Sequence, residues 1–330
     1  MIITRTPFRI SFFGGGSDFP AWYKENRGAV LSTTIDKYCY ISCRELPPFF
    51  EYKHRIVYSK IENIKEINEI VHPAVRETLR FMNIEKGLEI HHDGDLPARS
   101  GLGSSSAFTV GLLHTFYAFK GNMVSKKQLS LEAIHIEQDM IKENVGSQDQ
   151  VIVAYGGLNK IVFSGDHNIE VAPVPMSSSK SKELQSHLML FFTGFTRFAT
   201  DIEGEKINQI KKKEYEIKTM TEMVDEAINI LNGESEITQF GKMLHESWKL
   251  KKSLSDKVTT SAIDKIYETG LKNGALGGKI LGAGGGGFIL FFVEPDNKEK
   301  LKKSLSPLLH VPFCFDSLGS QIIYYNEGGL

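Results

Sequence analysis

Residues 97–107 read PARSGLGSSSA and combine small residues, which let a backbone approach a ligand closely, with a run of three hydroxyls. The apolar stretch that follows, FTVGLLHTFYAF, can continue as a helix. The first turn of a helix has free N–H groups and a positive dipole, so this stretch, here called the anion loop, predicts a phosphate site. It is not a Walker A motif, because no lysine follows Gly103. A plain glycine–serine turn is the alternative interpretation.

Two further glycine-rich motifs lie on either side of the anion loop in the chain. RTPFRISFFGGGSDFP, at 5–20, places Arg9 on a strand and Asp18 on a glycine turn. A hairpin turn with exposed charges is the alternative there. GAGGGG, at 282–287, is here called the glycine loop and lies between apolar strands. Ordering so many glycines costs chain entropy, so we expect this loop to pack closely against something, with a flexible turn as the alternative.

The hydrophobic pattern predicts how strands and helices position these motifs. Strands are predicted at 2–13, 28–45, 54–58, 87–92, 151–156, 160–164, 188–194, 288–293 and 320–326. Helices are predicted at 73–82, 104–119, 125–143, 202–232, 236–254 and 261–272. The polar stretch 177–183 is predicted to be a linking loop. Because helices and strands intermix in both halves, we predict an α+β protein with two domains, residues 1–180 and 181–330.

The composition of the 330 residues excludes several classes of function. A formal net charge of −1 argues against a general binder of nucleic acid or membrane surfaces. No apolar run approaches the roughly 20 residues of a membrane span, and the first residues read as a strand and not as a signal peptide. The three cysteines show neither a CxxC pair nor zinc-site spacing. We therefore expect a cytoplasmic protein with no nucleic-acid or membrane partner.

The three motifs, in this order and at this spacing, resemble those of the GHMP kinases, which include galactokinase, homoserine kinase and mevalonate kinase. Pro97 to Ala107 matches the family pattern Pro-x-x-x-Gly-Leu-Gly-Ser-Ser-x-Ala in full, and the resemblance covers roughly residues 5–290. It implies a kinase that uses ATP and Mg²⁺. It also implies a ribosomal protein S5 domain 2-like N-terminal domain and a ferredoxin-like C-terminal domain. The nucleotide-binding residues it implies are Pro97, Ser100, Gly101, Leu102, Gly103, Ser104, Ser105, Ser106 and Ala107.

The resemblance also implies catalytic and metal-binding residues. In the family, a Glu on the helix after the phosphate loop reaches magnesium, and a catalytic Asp follows about a dozen residues later; here these are Glu137 and Asp149. Magnesium takes few protein oxygens beside phosphate oxygens, so Glu137 and the Ser105 hydroxyl are the predicted ligands, with Ser104 as the weaker choice. Arg9 matches the strand Arg beside the catalytic Asp, where a guanidinium favours developing negative charge on the acceptor oxygen. Without the family, Glu137 reads as a solvent-facing helix residue.

The resemblance also bears on the acceptor, the molecule that receives the phosphate, through the glycine turn GGGSD at 14–18. Asp18 matches the carboxylate that accepts hydrogen bonds from sugar hydroxyls, but galactokinases have Gly-Glu-His-Thr-Asp where this chain has GGGSD. The missing acidic residue at position 15 argues against galactose and for an acceptor that needs more space or less hydroxyl recognition. This version resembles D-glycero-D-manno-heptose 7-phosphate kinases, which phosphorylate the anomeric oxygen, and the kinase part of L-fucokinases. The implied substrate-binding residues are Gly15, Gly16, Ser17, Asp18, Arg197, Gly284, Gly285 and Gly286.

A phosphorylated acceptor needs a cationic pocket, and Arg197, after strand 188–194, is the candidate for its phosphate. Lys251 and Lys252 are weaker candidates, because paired lysines on a helix usually face solvent. The alternatives are L-fucokinase or another neutral-sugar 1-kinase, and, less favoured, a non-catalytic sugar-binding regulator. A nicotinamide-dependent dehydrogenase does not fit, because GAGGGG comes late and precedes a strand. We expect ATP and a sugar phosphate as small-molecule partners and a homodimer as the assembly to test.

Overall fold

The computed structural model describes residues 1–166, 168–194 and 212–326, which form two sheets with helices packed around them. The strands are β1 (Ile2–Phe13), β2 (Gly28–Glu45), β3 (His54–Val57), β4 (Ile61–Ile64), β5 (Leu88–Gly94), β6 (Asn159–Ser164), β7 (Asn168–Pro173), β8 (Leu188–Phe192), β9 (Ala275–Ile280), β10 (Phe288–Val293), β11 (Leu309–Val311), β12 (Phe315–Asp316) and β13 (Gln321–Tyr325). The helices are α1 (Pro20–Tyr23), α2 (Pro73–Phe81), α3 (Ser104–Phe119), α4 (Lys126–His135), α5 (Gln148–Tyr155), α6 (Ser178–His187), α7 (Glu214–Asn232), α8 (Thr238–Ser253), α9 (Ser261–Lys272) and α10 (Lys298–Ser304). None of the helices in these ranges is long and apolar enough to cross a membrane.

The first sheet is built on β2, whose 18 residues are long enough to pair with different strands at its two ends. Its beginning pairs with β6, from Gly28 opposite Phe163, and its end pairs with β5, from Cys39 opposite Gly94. β1 lies antiparallel to β2 along nearly its whole length. Strand order across the sheet is β13-β1-β2-β5-β3-β4, with β12 also on β2 and β7 on β6. At the end of β1, Phe12 and Phe13 are fully buried.

The second sheet has the strand order β11-β8-β10-β9, and both of its faces are covered. Along β10, Phe288, Leu290 and Phe292 belong to the large core that is shared with the first sheet. Their neighbours Ile289, Phe291 and Val293 belong to a smaller core that includes residues of α8 and α9. Successive side chains of a strand point to opposite faces, so this two-sided burial explains the continuous apolar run FILFFV.

Two of the predicted elements are wrong. Residues 151–156, predicted as a strand from VIVAYG, lie mostly in helix α5. In this run Val151 to Ala154 are all buried. When every residue of a short run is apolar and buried, its hydrophobic period cannot distinguish a strand from a helix. Residues 177–183, predicted as a loop, instead begin helix α6, because the Ser177 hydroxyl accepts a hydrogen bond from the Lys180 N–H at 3.1 Å and so caps the first turn. Strand β7 was not predicted.

The last strands return to the first sheet. β13 pairs with β1, with Ile3 opposite Tyr324, and β12 pairs with β2. The placement of the C-terminal strand, which the sequence left open, is therefore beside β1. The helix predicted at 202–232 is α7 in its described part, and residues 202–211 lie outside the described residues. The division at residue 180 stays a prediction.

Candidate active site

The centre of the site is an ion pair between Arg9, on β1, and Asp149, in the first turn of α5. The Arg9 Nε donates to Asp149 Oδ1 at 2.7 Å and Nη2 donates to Oδ2 at 2.6 Å. The remaining nitrogen, Nη1, donates to the carbonyl oxygen of Gly101 at 2.6 Å. This bidentate pairing fixes the plane of the carboxylate. The Asp149 side chain is 22% exposed. The structure thus brings together two residues that are 140 positions apart and were paired only by resemblance.

The anion loop packs directly on this ion pair. Gly101 and Gly103 have φ of +83° and +74°, and Gly103 is the N-cap residue of α3. A Cβ on Gly103 would lie 3.0 Å from the Arg9 Cγ and 3.4 Å from Asp149 Oδ2. The Arg9 N–H also donates to the carbonyl of Leu102 at 2.9 Å. The N-cap residue of α3 therefore lies beside the Asp149 carboxylate, which places the predicted phosphate site next to that carboxylate.

The other predicted nucleotide-binding residues differ in exposure. Pro97 and Ser105 are exposed, Ser104 is half-buried, and Ser100, Ser106 and Ala107 are buried. The Ser104 hydroxyl accepts a hydrogen bond from the Arg99 N–H at 3.1 Å, which closes the loop on itself. These nucleotide contacts stay predictions.

Glu137 lies beneath the start of α3 and is 1% exposed. A π-helical turn, Ile136–Met140, carries it, and such turns are frequent at functional sites. Its Oε2 accepts hydrogen bonds from the Ser106 hydroxyl at 2.9 Å and from the Gln150 side-chain amide at 2.5 Å. Its Oε1 is buried and has no hydrogen-bond partner among the described residues. Burial raises the pKa of Glu137 to about 7. A solvent-facing role for Glu137 is therefore wrong.

The expected magnesium ligands are only partly brought together. Glu137 bonds to Ser106, which the sequence placed with the nucleotide, while Ser105 is exposed on the same turn of α3. A buried carboxylate oxygen without a hydrogen-bond partner among the described residues costs free energy, and a bound cation would offset that cost. The donor set therefore suits Mg²⁺, and the ligand assignment stays a prediction.

The glycine turn holds Asp18 at the same site, 2% exposed. Asp18 Oδ1 accepts a hydrogen bond from the Gly16 N–H at 2.9 Å, and the Ser17 hydroxyl donates to the Gly14 carbonyl at 2.8 Å. Burial raises the pKa of Asp18 above its ordinary value; the Gly16 hydrogen bond opposes this, and the charge of Asp149 adds to it. A Cβ at Gly15 would meet no atom of the described residues within 4 Å, so the turn leaves open space there.

The glycine loop packs closely, as its glycine content predicted, and the structure shows that its partner is the anion loop. A Cβ on Gly282 would lie 2.5 Å from Gly101 Cα, and one on Gly287 would lie 2.2 Å from the Ser100 carbonyl oxygen. The Phe288 N–H donates to that same carbonyl at 3.1 Å.

The predicted substrate glycines of this loop contact a different segment, at Val258. Gly284 packs against the backbone of Val258, and the Gly285 N–H donates to the Val258 carbonyl at 2.9 Å. Gly285 and Gly286 are buried. The contact of Gly284, Gly285 and Gly286 with substrate stays a prediction.

Sequence reasoning missed Lys279 at this site, and it expected Lys251, a weaker candidate for the acceptor phosphate, to face solvent. Arg197 lies outside the described residues. Lys279 is 4% exposed and its Nζ donates to the Phe12 carbonyl at 2.7 Å, which ties β9 to β1. Lys251, expected on a solvated face, is 8% exposed. Lys252 instead pairs with Asp264 at 2.6 Å. A local pattern cannot reveal a buried lysine, because the carbonyls it bonds are distant in sequence.

Comparison with known proteins identifies the family. Residues 67–157 match the model of the GHMP kinases N terminal domain, and residues 226–307 match that of the GHMP kinases C terminal domain. The chain is 30% identical over 322 residues to a D-glycero-alpha-D-manno-heptose 7-phosphate kinase of Campylobacter jejuni, covering 92% of this chain and 93% of that protein.

More distant proteins share the fold. A crystal structure of a D-glycero-D-manno-heptose 1-phosphate kinase from Bacteroides thetaiotaomicron matches with a TM-score of 0.80 at 23% identity, covering 99% of this chain and all of that one. A galactokinase from Lactococcus lactis, solved with galactose, matches with a TM-score of 0.74 at 19% identity, covering 97% of this chain and 94% of that one. The predicted α+β, two-domain fold is confirmed. The chain belongs to the GHMP kinases and is a sugar kinase, a phosphotransferase with an alcohol group as acceptor.

Proposed function

We propose that the protein transfers the γ-phosphate of ATP to the anomeric hydroxyl of D-glycero-D-manno-heptose 7-phosphate, giving the 1,7-bisphosphate. The observation that carries the phosphoryl-transfer chemistry is the Arg9–Asp149 pair, held against the start of α3 by the Gly101 carbonyl. The choice of acceptor is supported by the Campylobacter jejuni relative, which matches along nearly its whole length. The open space at Gly15 supports an acceptor larger than galactose.

In the proposed reaction the phosphates of ATP lie on the anion loop and on the free N–H groups of the first turn of α3. The acceptor oxygen bonds to the γ-phosphorus, the bond from that phosphorus to the β-bridging oxygen breaks, and ADP leaves. Asp149 accepts or orients the proton of the anomeric hydroxyl, and Arg9 fixes that carboxylate and offsets charge near the transferring group. An anomeric hydroxyl is more acidic than an ordinary alcohol, so orientation by Asp149 accounts for much of its effect.

Two further groups complete the proposed site. Asp18 faces the acceptor and hydrogen-bonds its hydroxyls. Glu137, through its unpartnered Oε1, and Ser105 would hold Mg²⁺. When bound, the ion would neutralise phosphate charge. Phosphoryl transfer depends mainly on positioning and electrostatics, so each of these groups is expected to matter.

The test is ADP release with ATP and magnesium across five acceptors: D-glycero-D-manno-heptose 7-phosphate, L-fucose, D-galactose, D-mannose and mevalonate. We expect turnover on the heptose phosphate and little on the others. Turnover on L-fucose alone would overturn the heptose 7-phosphate assignment and favour the alternative, an L-fucokinase. That alternative is supported by 26% identity over 321 residues to a bifunctional fucokinase/GDP-fucose pyrophosphorylase of Arabidopsis thaliana, of which the match covers 30%.

Gly15 offers a sharper test of acceptor size. Unlike Gly14 and Gly16, it has no positive φ, so a side chain there strains no backbone. We expect Gly15→Glu to lower kcat/KM for the heptose phosphate by at least about ten-fold by filling the open space, which is about 1.4 kcal/mol of transition-state binding. Gly15→Ala, which adds one methyl group, is the matched control. Equal kcat/KM in both variants would contradict an acceptor bound beside Gly15.

The expected homodimer stays a prediction, to be tested by light scattering.

A further inference from the structure

Lys251 is a buried cation that the proposed reaction does not use. It lies near the end of α8, and its Nζ donates to the carbonyl oxygens of Ile280 at 2.9 Å and Gly282 at 2.6 Å. Burying an ammonium group costs free energy unless hydrogen bonds compensate for lost water. The two carbonyls belong to the end of β9 and the first residue of the glycine loop. The charge of Lys251 therefore acts on the backbone where that loop begins.

The glycine loop needs such an anchor. Gly282, Gly284 and Gly285 have φ of +69°, +112° and +74°. Glycine populates positive and negative φ about equally, so its own preferences do not hold this conformation. Ordering the loop costs chain entropy that contacts from outside the loop must offset.

The anchored backbone leads directly to the ion pair. Leu281 and Gly282 press against Gly101 so closely that a Cβ on Gly101 would lie 2.4 Å from the Leu281 carbonyl oxygen. The Gly101 carbonyl in turn accepts the hydrogen bond from Arg9 Nη1. Backbone contacts therefore connect Gly282 through Gly101 to the guanidinium that holds Asp149.

We propose that Lys251 is a positioning residue for phosphoryl transfer. It fixes the Ile280 and Gly282 carbonyls, and so sets the glycine loop against the anion loop and Arg9 against Asp149. Lys251 acts through the backbone, and its loss lowers the rate of the chemical step more than it weakens nucleotide binding. A reacting geometry displaced by about 1 Å typically costs on the order of 100-fold in rate.

The test compares Lys251→Met with Lys249→Met. Lys249 lies on the same helix, has a side chain 55% exposed and pairs with Glu246 at 2.9 Å, so it controls for loss of a lysine from α8. We expect Lys251→Met to lower kcat by about ten- to 100-fold, with KM for ATP and Kd for ADP within about three-fold of wild type. Lys251→Arg, which keeps the charge and the donors, should recover part of kcat. Lys249→Met should match wild type.

Amide hydrogen exchange supplies a readout that needs no acceptor. In Lys251→Met we expect faster exchange in residues 281–287 and 100–103, and in Lys249→Met no change there. Activity is measured with whichever sugar the wild type phosphorylates, so failure of the heptose assignment leaves this test intact. Faster exchange confined to α8 would mark a purely structural role and overturn the proposal.

Two kinetic results would also overturn it. One is a wild-type kcat per folded molecule in Lys251→Met. The other is a raised KM for the sugar at unchanged kcat, which would make Lys251 an acceptor-binding residue. If Lys251→Met does not fold, Gly282→Ala separates the same loops from the other side, because its Cβ would lie 2.5 Å from Gly101 Cα. A wild-type kcat in Gly282→Ala would then refute the proposal.

Discussion

Replacing Gly101 by alanine tests whether catalysis depends on contact between the anion loop and the glycine loop. The new Cβ would lie 2.4 Å from the Leu281 carbonyl oxygen, whereas ordinary contact begins at 3.4 Å, so the loops must separate by about 1 Å. A displacement of this size next to the Arg9–Asp149 pair should cost on the order of 100-fold in kcat, or about 2.7 kcal/mol of activation free energy. The φ of +83° adds about 1 to 3 kcal/mol of backbone strain to the folded state.

Gly121→Ala is the matched control. Gly121 also has a positive φ, +69°, but its Cβ would meet nothing within 4 Å in the part of the chain that the structure describes. Both variants should lose similar free energy of unfolding from strain, measured by urea denaturation, with an additional loss in Gly101→Ala from the clash. Steady-state ADP release should show the large fall in kcat only in Gly101→Ala. If its kcat stays within about three-fold of that of Gly121→Ala, the loop contact does not position the ion pair and the reasoning is wrong.

Three further perturbations test other parts of the site and fold. Asp149→Asn should lower kcat by about two orders of magnitude or more while ADP still binds. The control is Glu89→Gln, which removes a buried carboxylate of β5 that pairs with arginines of β2 and β3; it should lower stability and leave kcat unchanged. Near-normal turnover in Asp149→Asn would refute the role of Asp149. Glu137→Gln should raise the magnesium concentration for half-maximal velocity by about ten-fold, and an unchanged magnesium dependence would contradict the metal site. Burial lowers the pKa of His54 from 6.5 to about 4, so between pH 4 and 6.5 the folded state binds fewer protons than the unfolded state. The stability that neutral His54 contributes is complete above pH 6.5 and falls by up to about 3 kcal/mol as the pH drops to 4. His54→Leu should therefore flatten the pH dependence of the free energy of unfolding between pH 4 and 6.5. A slope equal to that of wild type would show that His54 does not cause this pH dependence.

The parts of the site that sequence could predict are those whose signal is local. The anion loop was predicted to open a helix, and α3 begins at Ser104, because glycines followed by hydroxyls and an apolar run determine that junction within a few residues. The strand carrying Arg9 was predicted for the same reason. The pairing of Arg9 with Asp149 had no local signal and came only from the family resemblance.

The parts that could not be predicted depend on contacts between distant residues. Burial of Glu137 results from the π-helical turn and from packing beneath α3, and neither leaves a mark in the residues around it. Burial of Lys251 depends on carbonyls 29 and 31 residues away. The VIVAYG run was assigned to a strand because strands and buried helices share the same apolar composition when the run is short.

The first two glycine-rich motifs predicted close approach to a ligand and the third predicted close packing, and in the structure the three motifs approach one another. A Cβ on Gly103 would crowd Arg9, one on Gly282 would crowd Gly101, and one on Gly287 would crowd Ser100. The anion loop thus lies between the strand of the first motif and the loop of the third, and it touches both through backbone. No single motif could keep this geometry if another gained a side chain at its contact. This mutual packing gives a physical reason why the three motifs occur together in one chain: each supplies the surface on which the next is positioned, and phosphoryl transfer depends on that positioning.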